Sequence, residues 1–426
     1  MAFDRFGNEH APGFAYARGG LLPDTASDLE KLKTAWAHVR KRHQASGLDD
    51  LHLMGGLERG FHIDPEDLEI LEDELAPALY HDELVQLGLE HLGGNAEAHD
   101  VMLLNRQTAA LLVAADVMID EGDTVIGVSP RYSHPCVHRA VAHARGRLVD
   151  TTGVEEFRAA LEQESNVSTV FLTRLSVSYE ILSEQDLQEI VRLSKAAGAR
   201  IIVDDAGGAR VGPAVFGQSK PIALGVDVAA TGLDKYGTVG PRLGLLCGTK
   251  EVVGKIRARA FEMGIEARPF LMPAVVKSLR QYRPERVREL VASTKTVAEV
   301  LQQRLGPERL FETPVTVQFR AEDILEIAME RAGIAEPPIL PYEATAGFAM
   351  LLLRDHGILT VHFAALPPGT SALMLKFIPP ETLARFGGAE RLAEAIDGSL
   401  SQLAETLKSP EGLKALLFAS QPAPSS

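Results

Sequence analysis

Two aspartates stand together at Asp204-Asp205, directly after the apolar run Ile201-Ile202-Val203, and Lys235 follows 31 residues after Asp204. Two carboxylates at the mouth of a buried strand need a cationic partner. Alone, the pair would read as a helix cap or a surface turn, and Lys235 as a solvated amine. Their order changes the reading. Lys235 lies just beyond the next strand candidate, Val226–Ala230, inside Thr231-Gly232-Leu233-Asp234-Lys235-Tyr236-Gly237, with Gly240-Pro241-Arg242 behind it. A lysine at a strand exit, with glycines that admit a ligand closely, suits an imine-forming amine. An acid placed to keep a pyridine nitrogen protonated completes the requirement of pyridoxal phosphate (PLP) chemistry.

Such a cofactor needs a phosphate cradle at an early helix N-terminus. Asn105-Arg106-Gln107-Thr108 follows the first strand and opens the next helix. Arg242 and Thr231 are further candidates for cofactor contacts. A ring needs a face to stack on, and Pro130-Arg131-Tyr132-Ser133-His134 follows the strand Thr124–Val128. His134 is preferred over Tyr132. His134, Cys136 and His138 also raise a metal reading, but no second matching cluster exists and Pro135 disturbs any shared helical face. No metal is expected. Competing motifs are missing: no Gly-x-Gly-x-x-Gly after the first strand, no Gly-x-x-x-x-Gly-Lys-Ser/Thr, and no Gly-x-Ser-x-Gly.

The elements that must position these residues alternate. Strand candidates are Val101–Leu104, Thr124–Val128, Thr169–Thr173, Arg200–Val203, Val226–Ala230 and Leu243–Cys247; helices run from about Gln107 to Ile119 and from a Ser183/Asp186 capping box to Ala196. Short buried strands between helices imply a mainly parallel sheet covered on both faces, with ligands beyond the carboxyl ends of the strands. Asp28–Ser46 reads as a helix, and Asp64-Pro65 as the N-cap and first turn of a second, acidic one. A long helical stretch from Pro273 to Leu305 is interrupted near Pro284. Strands near Val315–Phe319, Ile358–Phe363 and Ala372–Ile378 suggest a smaller C-terminal domain. The expected division is an N-terminal arm and helix (1–60), a large cofactor-binding domain (61–285), a small domain (286–420) and a disordered tail (421–426).

The chain has 426 residues, 46% hydrophobic and 24% charged, which fits a globular protein with ample core. Only Cys136 and Cys247 are present, which excludes a disulfide scaffold. The net charge of −15 makes a nucleic-acid binder a poor default. Neither a signal core nor a run long enough to cross a bilayer is found, so a cytoplasmic protein is expected.

The chain resembles PLP-dependent enzymes of the aspartate-aminotransferase fold superfamily. Within it, the resemblance is to the selenocysteine synthase (L-seryl-tRNA selenium transferase)-like branch, and there to its shorter archaeal-type members. The residues that carry it are His91-Leu92-Gly93-Gly94, Asn105-Arg106-Gln107-Thr108, Val203 through Arg210, Asp234-Lys235 through Gly240-Pro241-Arg242-Leu243-Gly244, and Gly264-Ile265-Glu266-Ala267. It covers about residues 50–290, and extends less clearly to 410. The Asp-Lys-to-Gly-Pro block is fairly specific to the branch, whereas Asp-Asp-Ala is shared more widely.

The resemblance implies fold type I: a mainly parallel seven-stranded sheet sandwiched by helices, with a smaller α+β C-terminal domain. It implies Lys235 as the lysine that bonds the cofactor, Asp204 on the pyridine nitrogen, Gln107 and Thr108 on the phosphate, and His134 stacked on the ring. It also implies assembly at least as a homodimer. The short, acidic N-terminal segment departs from the tRNA-binding domain of full-length bacterial members, which argues against tRNA. Many aminotransferases carry a late arginine for the substrate carboxylate. The corresponding stretch reads Leu373-Met374-Leu375-Lys376-Phe377, leaving Lys376, Arg268 or Arg354 for that role. The expected function is α-proton abstraction from a small amino acid or derivative, with β-elimination or β-replacement. The alternatives are an aminotransferase and a non-catalytic PLP-binding protein.

Overall fold

A computed structural model describes residues 2–58, 60–363 and 368–418, so the tail 421–426 lies outside the described residues. The chain divides into two compact units, Glu58–Arg288 and Met1–Leu57 together with Glu289–Ser426.

The unit Glu58–Arg288 is built on one sheet. Its strands are β1 (His99–Leu104), β2 (Thr124–Ser129), β3 (Arg147–Thr152), β4 (Val167–Thr173), β5 (Arg200–Asp204), β6 (Val228–Gly232) and β7 (Gly244–Thr249). Their order across the sheet is β1-β7-β6-β5-β4-β2-β3. Neighbours pair in parallel from β6 through β3, and β7 runs antiparallel to both β6 and β1. The sheet is therefore mostly parallel with one reversed strand. Its helices are α1 (Leu75–Leu92), α2 (Gln107–Met118), α3 (Pro135–His143), α4 (Gly153–Gln163), α5 (Glu184–Ala196), α6 (Gly208–Phe216), α7 (Lys250–Met263) and α8 (Met272–Gln281).

The central strands are buried at most positions because both faces are covered. Successive side chains point to opposite sides. Phe171 and Ile202 join one core with Leu111 of α2, Val137 of α3 and Ile256 of α7. Val170, Leu172, Ile201 and Val203 join the other with Leu89 of α1, Ile190 of α5 and Val276 of α8. Each such fully buried large side chain contributes about 1.5–3 kcal/mol.

The edge strand β3 is not evident in the sequence. Its residues Arg-Leu-Val-Asp-Thr-Thr are largely polar and partly exposed, and β2 is the strand they pair with. The expected acidic helix after Asp64 also differs. Pro65–Ile70 is a single 3-10 segment, α1 starts at Leu75, and Asp64 makes no cap because its carboxylate takes Lys277 at 2.6 Å. The capping box of Ser183 and Asp186 opens α5 as its residues require. Proline does interrupt the long helical stretch: α8 stops at Gln281 and a new helix spans Pro284–Leu305.

The second unit is α+β. A three-stranded antiparallel sheet orders Leu373–Lys376, Thr316–Phe319 and Phe311–Glu312, and a short parallel pair joins His52–Leu53 to Ile358–Leu359. The strand expected over Ile358–Phe363 thus ends early, in a 3-10 turn at Val361–Phe363. The helix Thr25–Ser46 enters by an Asp24/Ser27 capping box. Leu22, Ala35 and Met54 share one core with Phe319, Phe348 and Leu375, so the chain's two ends fold together. Among the described residues no helix is long and apolar enough to cross a membrane.

Candidate active site

Asp204 is the last residue of β5 and pairs in register with Ala230 on β6. Lys235 lies three residues past Gly232, the end of β6. A Cβ placed at Gly232 would lie 3.4 Å from Lys235 Nζ, so the amine lies close to the end of its own strand. The carboxylate and the amine therefore leave adjacent parallel strands at the same carboxyl edge.

Asp204 is buried. Gln107 Nε2, in the first turn of α2, donates to Asp204 Oδ1 at 3.0 Å and to the Ala230 carbonyl at 2.8 Å. Cys136 Sγ, on α3, lies 3.8 Å from Asp204 Oδ2. Burial pushes the Asp204 carboxyl above its ordinary range; Gln107, the positive charge of Lys235, Cys136 and the Ala206 backbone all oppose that shift. Burial likewise lowers the Lys235 ammonium, with Arg210 and Arg242 adding to the effect and Asp234 and Asp204 opposing it. The lysine therefore gives up its proton more readily than a surface lysine does.

The neighbouring carboxylate does different work. Asp205 is fully buried against Arg174, with an Arg174 nitrogen 3.2 Å from Asp205 Oδ2. Arg174 also donates to the Ser219 carbonyl at 2.7 Å, which ties the end of β4 to the segment after α6. The turn between the aspartates and α6 has to be glycine. A Cβ at Gly207 would meet the Tyr236 ring at 2.4 Å, and one at Gly208 would meet Asp205 Oδ1 at 2.1 Å.

The loop carrying Lys235 is braced from several sides. Tyr236 takes a left-handed backbone (φ +50), and its hydroxyl bonds that of Tyr179. Both rings are buried and meet edge-on, so packing offsets a conformation that tyrosine seldom adopts. Glu58 accepts from the Gly237 amide at 2.6 Å, its own amide donates to Asp234 O at 2.9 Å, and Arg286 lies 3.3 Å from its carboxylate. Thr238 Oγ1 donates to Lys235 O at 2.8 Å.

The other candidates fall in three groups. Arg106, Gln107 and Thr108 form the N-terminus of α2; Arg106 and Thr108 are at least partly exposed, while the Gln107 amide is committed to Asp204. A Cβ at Gly244 would lie 2.7 Å from Arg106 O, so this glycine lets β7 approach the helix start. Thr231 Oγ1 reaches Ala206 O at 3.3 Å, and Arg242 lies 3.8 Å from Asp234. His134 is the N-cap of α3; its Nδ1 accepts from the Cys136 amide at 3.0 Å. Beside it, Ser133 Oγ donates to Asp150 Oδ1 at 2.6 Å, so β3 anchors the segment that carries His134.

The substrate-carboxylate candidates are not brought to one place within a unit. Arg268 is exposed and ion-paired with Asp73. Lys376 is buried in the strand Leu373–Lys376 of the other unit, where Arg354 pairs with Asp355 at 2.8 Å. Among the described residues no group of three or more histidine, cysteine or carboxylate side chains could hold a metal.

The sequence reading missed Arg174, Arg210 and Glu58, and weighed Cys136 only as a metal ligand. Arg210 had a visible signal, because it closes the block that begins at Val203. The others are joined to the site across long sequence separations and leave no local pattern.

No family model matches the chain. It is similar to a "UPF0425 pyridoxal phosphate-dependent protein" of Methanothermobacter thermautotrophicus, at 28% identity over 83% of this chain and 88% of the relative. A protein of the same description from Methanosphaera stadtmanae is 28% identical over 80% and 86%. Among solved structures, an aromatic aminotransferase from Pyrococcus horikoshii superposes with a TM-score of 0.54 at 15% identity, over 86% of this chain and 99% of that one. The SepCysS–SepCysE N-terminal domain complex gives 0.55 at 14%, over 85% and 98%. N-succinyldiaminopimelate aminotransferase from Mycobacterium tuberculosis gives 0.55 at 16%, over 85% and 96%. The fold is that of the aminotransferases: a mostly parallel central sheet between layers of helices.

Proposed function

We propose that this chain is a PLP-dependent enzyme that acts on a small amino acid or amino-acid derivative by α-proton abstraction with β-elimination or β-replacement. The observation that carries the reading is a buried carboxylate and a deprotonation-prone lysine leaving neighbouring parallel strands at one edge of the sheet. The names of the curated relatives support the cofactor. The residues present also fit it. Among the described residues, Gln107 Oε1, Ser129 Oγ and Thr173 Oγ1 are buried at this edge and have no hydrogen-bond partner, which is costly unless a ligand or water meets them.

PLP, when bound, supplies an electron sink for charge developing at the substrate α-carbon. Asp204 would hold a protonated ring nitrogen, and the Gln107 amide keeps its Oδ1 aimed. Arg106 and Thr108, with the amides of the first turn of α2, would take the phosphate; Arg242 and Thr231 lie beside Lys235 and β6 for further contacts. His134 would face the ring. Lys235 would anchor the cofactor and then take the α-proton at Nζ, a role its lowered proton affinity suits. Lys376 and Arg268 are the proposed partners of a substrate carboxylate. The motifs Val203–Arg210 and Asp234–Gly244 support a reading within the selenocysteine synthase-like branch, and the same reading makes the protein a cytoplasmic homodimer.

The test is PLP titration followed by visible absorption, beside Lys235→Ala. A band in the wild type that the variant lacks is expected, and a wild type without one sinks the cofactor reading. Turnover of serine or cysteine to pyruvate then separates elimination from amino transfer to a 2-oxo acid, which would make the protein an aminotransferase.

A further inference from the structure

Arg210 is fully buried near the start of α6. One of its nitrogens, Nη2, donates to the Ala206 carbonyl at 3.1 Å and to the Gly232 carbonyl at 2.7 Å. Ala206 lies two residues after Asp204, and Gly232 three before Lys235. The same Ala206 carbonyl also meets Thr231 Oγ1 at 3.3 Å and the Gly232 amide at 3.4 Å. The other terminal nitrogen, Nη1, lies 3.2 Å from His91 Nε2 on α1. Burial, then the charges of Arg210 and Lys220, hold His91 well below its ordinary pKa, so the ring is neutral and Nε2 accepts. Tyr282 closes over that ring edge-on at 4.8 Å.

We propose that Arg210 is the positioning residue of this site: it bolts the loop after Asp204 to the end of the strand that leads to Lys235, and holds a permanent positive charge against the lysine amine. The regular register between β5 and β6 ends at Asp204 and Ala230, and beyond it the long 3.4 Å bond from the Gly232 amide to Ala206 O is a weak backbone tie between the two loops. A guanidinium bridging two carbonyls fixes their spacing, at the cost of a buried charge. His91, Tyr236, Tyr282, Asp234 and Asp205 surround that charge. Lys235 in turn faces Asp234, Asp204, Arg210 and Arg242; the two aspartates favour its protonated form, and the two arginines oppose it. Of the two arginines, Arg242 is about a third exposed and Arg210 is fully buried, so solvent screens the effect of Arg210 less.

The role has meaning for catalysis only if Lys235 is the reactive amine proposed above. The test therefore uses the cofactor-free protein. Wild type, Arg210→Gln and Arg210→Lys are treated with formaldehyde and cyanoborohydride across a pH series, and methylation of Lys235 is followed by peptide mass spectrometry. Surface lysines of the same molecules serve as the reference. The wild-type midpoint for Lys235 should lie below theirs, move up by about one pH unit or more in Arg210→Gln, and stay near the wild-type value in Arg210→Lys. An unmoved midpoint in a folded Arg210→Gln overturns the proposal. If that variant does not fold, Arg210→Lys decides: a shorter side chain with a single nitrogen cannot meet both carbonyls and His91 Nε2 as the two separated guanidinium nitrogens do, and the Gly232 amide should lose at least about tenfold of its hydrogen-exchange protection. Unchanged protection there overturns the proposal. A wild type that shows no visible band with PLP sinks the cofactor reading alone, because the methylation profile judges Arg210 without it.

Discussion

Two buried aspartates, one in each unit, each share their surroundings with a lysine, and they are held in opposite ways. Asp28, in the helix Thr25–Ser46, has no exposed side chain, and neither has Lys31 one turn on. Its oxygens are met by Arg18 at 2.8 Å, by Lys31 at 3.4 Å and by the Tyr342 hydroxyl. Arg18 and Lys31 also stand 5.1 and 5.5 Å from the centre of the Tyr342 ring. This constellation gives the carboxylate two basic side chains and a hydroxyl within the unit, although burial lowers the Lys31 ammonium as it lowers that of Lys235. Asp204 has a neutral amide, a weak thiol donor and a backbone N–H, and its cation, Lys235, belongs to the next strand's loop. Orphaned polar atoms line the same edge. A closed cluster contributes to the unit's own stability, whereas an open one leaves desolvation uncompensated until a ligand supplies the missing partners.

The sharpest way to break this contrast is to remove each lysine. Lys235→Ala should abolish the visible band with PLP and lower turnover more than about a thousandfold, with no loss in the urea midpoint. Lys31→Ala should leave the band intact and lower the midpoint. Equal effects in both assays would erase the distinction.

Next come the carboxylates. Asp28→Asn should cost about 3–5 kcal/mol in urea unfolding, because it unbalances a buried ion cluster. Asp204→Asn should instead stabilise the cofactor-free protein, since the charged carboxylate is disfavoured where it stands. A loss of stability in Asp204→Asn would show its surroundings to be already compensated.

The pH dependence follows from the same shifts. The folded protein keeps the Asp204 proton to higher pH than the unfolded chain does, so stability from this group falls as pH rises from the ordinary carboxylate value through the raised one. The unfolded chain keeps the Lys235 proton to higher pH than the folded protein. Stability from this group therefore rises between the lowered value and the ordinary 10.5. Melting temperature against pH should lose the first slope in Asp204→Asn and the second in Lys235→Met.

Smaller effects sharpen the picture. Gln107→Leu should weaken PLP about tenfold, measured by absorbance titration, because a hydrogen bond to a carboxylate is lost. Cys136→Ala should change that affinity less than about threefold, since a thiol is a weak donor. A larger effect of Cys136→Ala than of Gln107→Leu would reverse their ranking at Asp204.

Much of this was legible in the sequence, and for local reasons. Ile201-Ile202-Val203 is too apolar to be anything but a strand buried on both faces, so Asp204 had to stand at its end. Ser183 with Asp186 encodes its own helix start. Lys235 was marked by its distance from Asp204 and by the glycines around it. The contact of the Gln107 amide with Asp204 was not legible. The Gln107 side chain was expected at a phosphate, and only the packing of α2 against β5 and β6 brings its amide to Asp204 and Ala230. Strand β3 escaped notice because an edge strand need not be apolar, although its Asp150 anchors the turn before His134.

The chain by itself determined the alternation of strands and helices and which residues stand at the strand ends, because both follow from short-range periodicity. Only the tertiary structure decided which of two adjacent aspartates pairs with Arg174 and which stays open, that Arg210 joins the loops of Asp204 and Lys235, and that the first 57 residues fold with the chain's last third. Those outcomes depend on contacts between residues far apart in the chain. Burial sets their energies, and no local pattern specifies which distant residues are buried against one another.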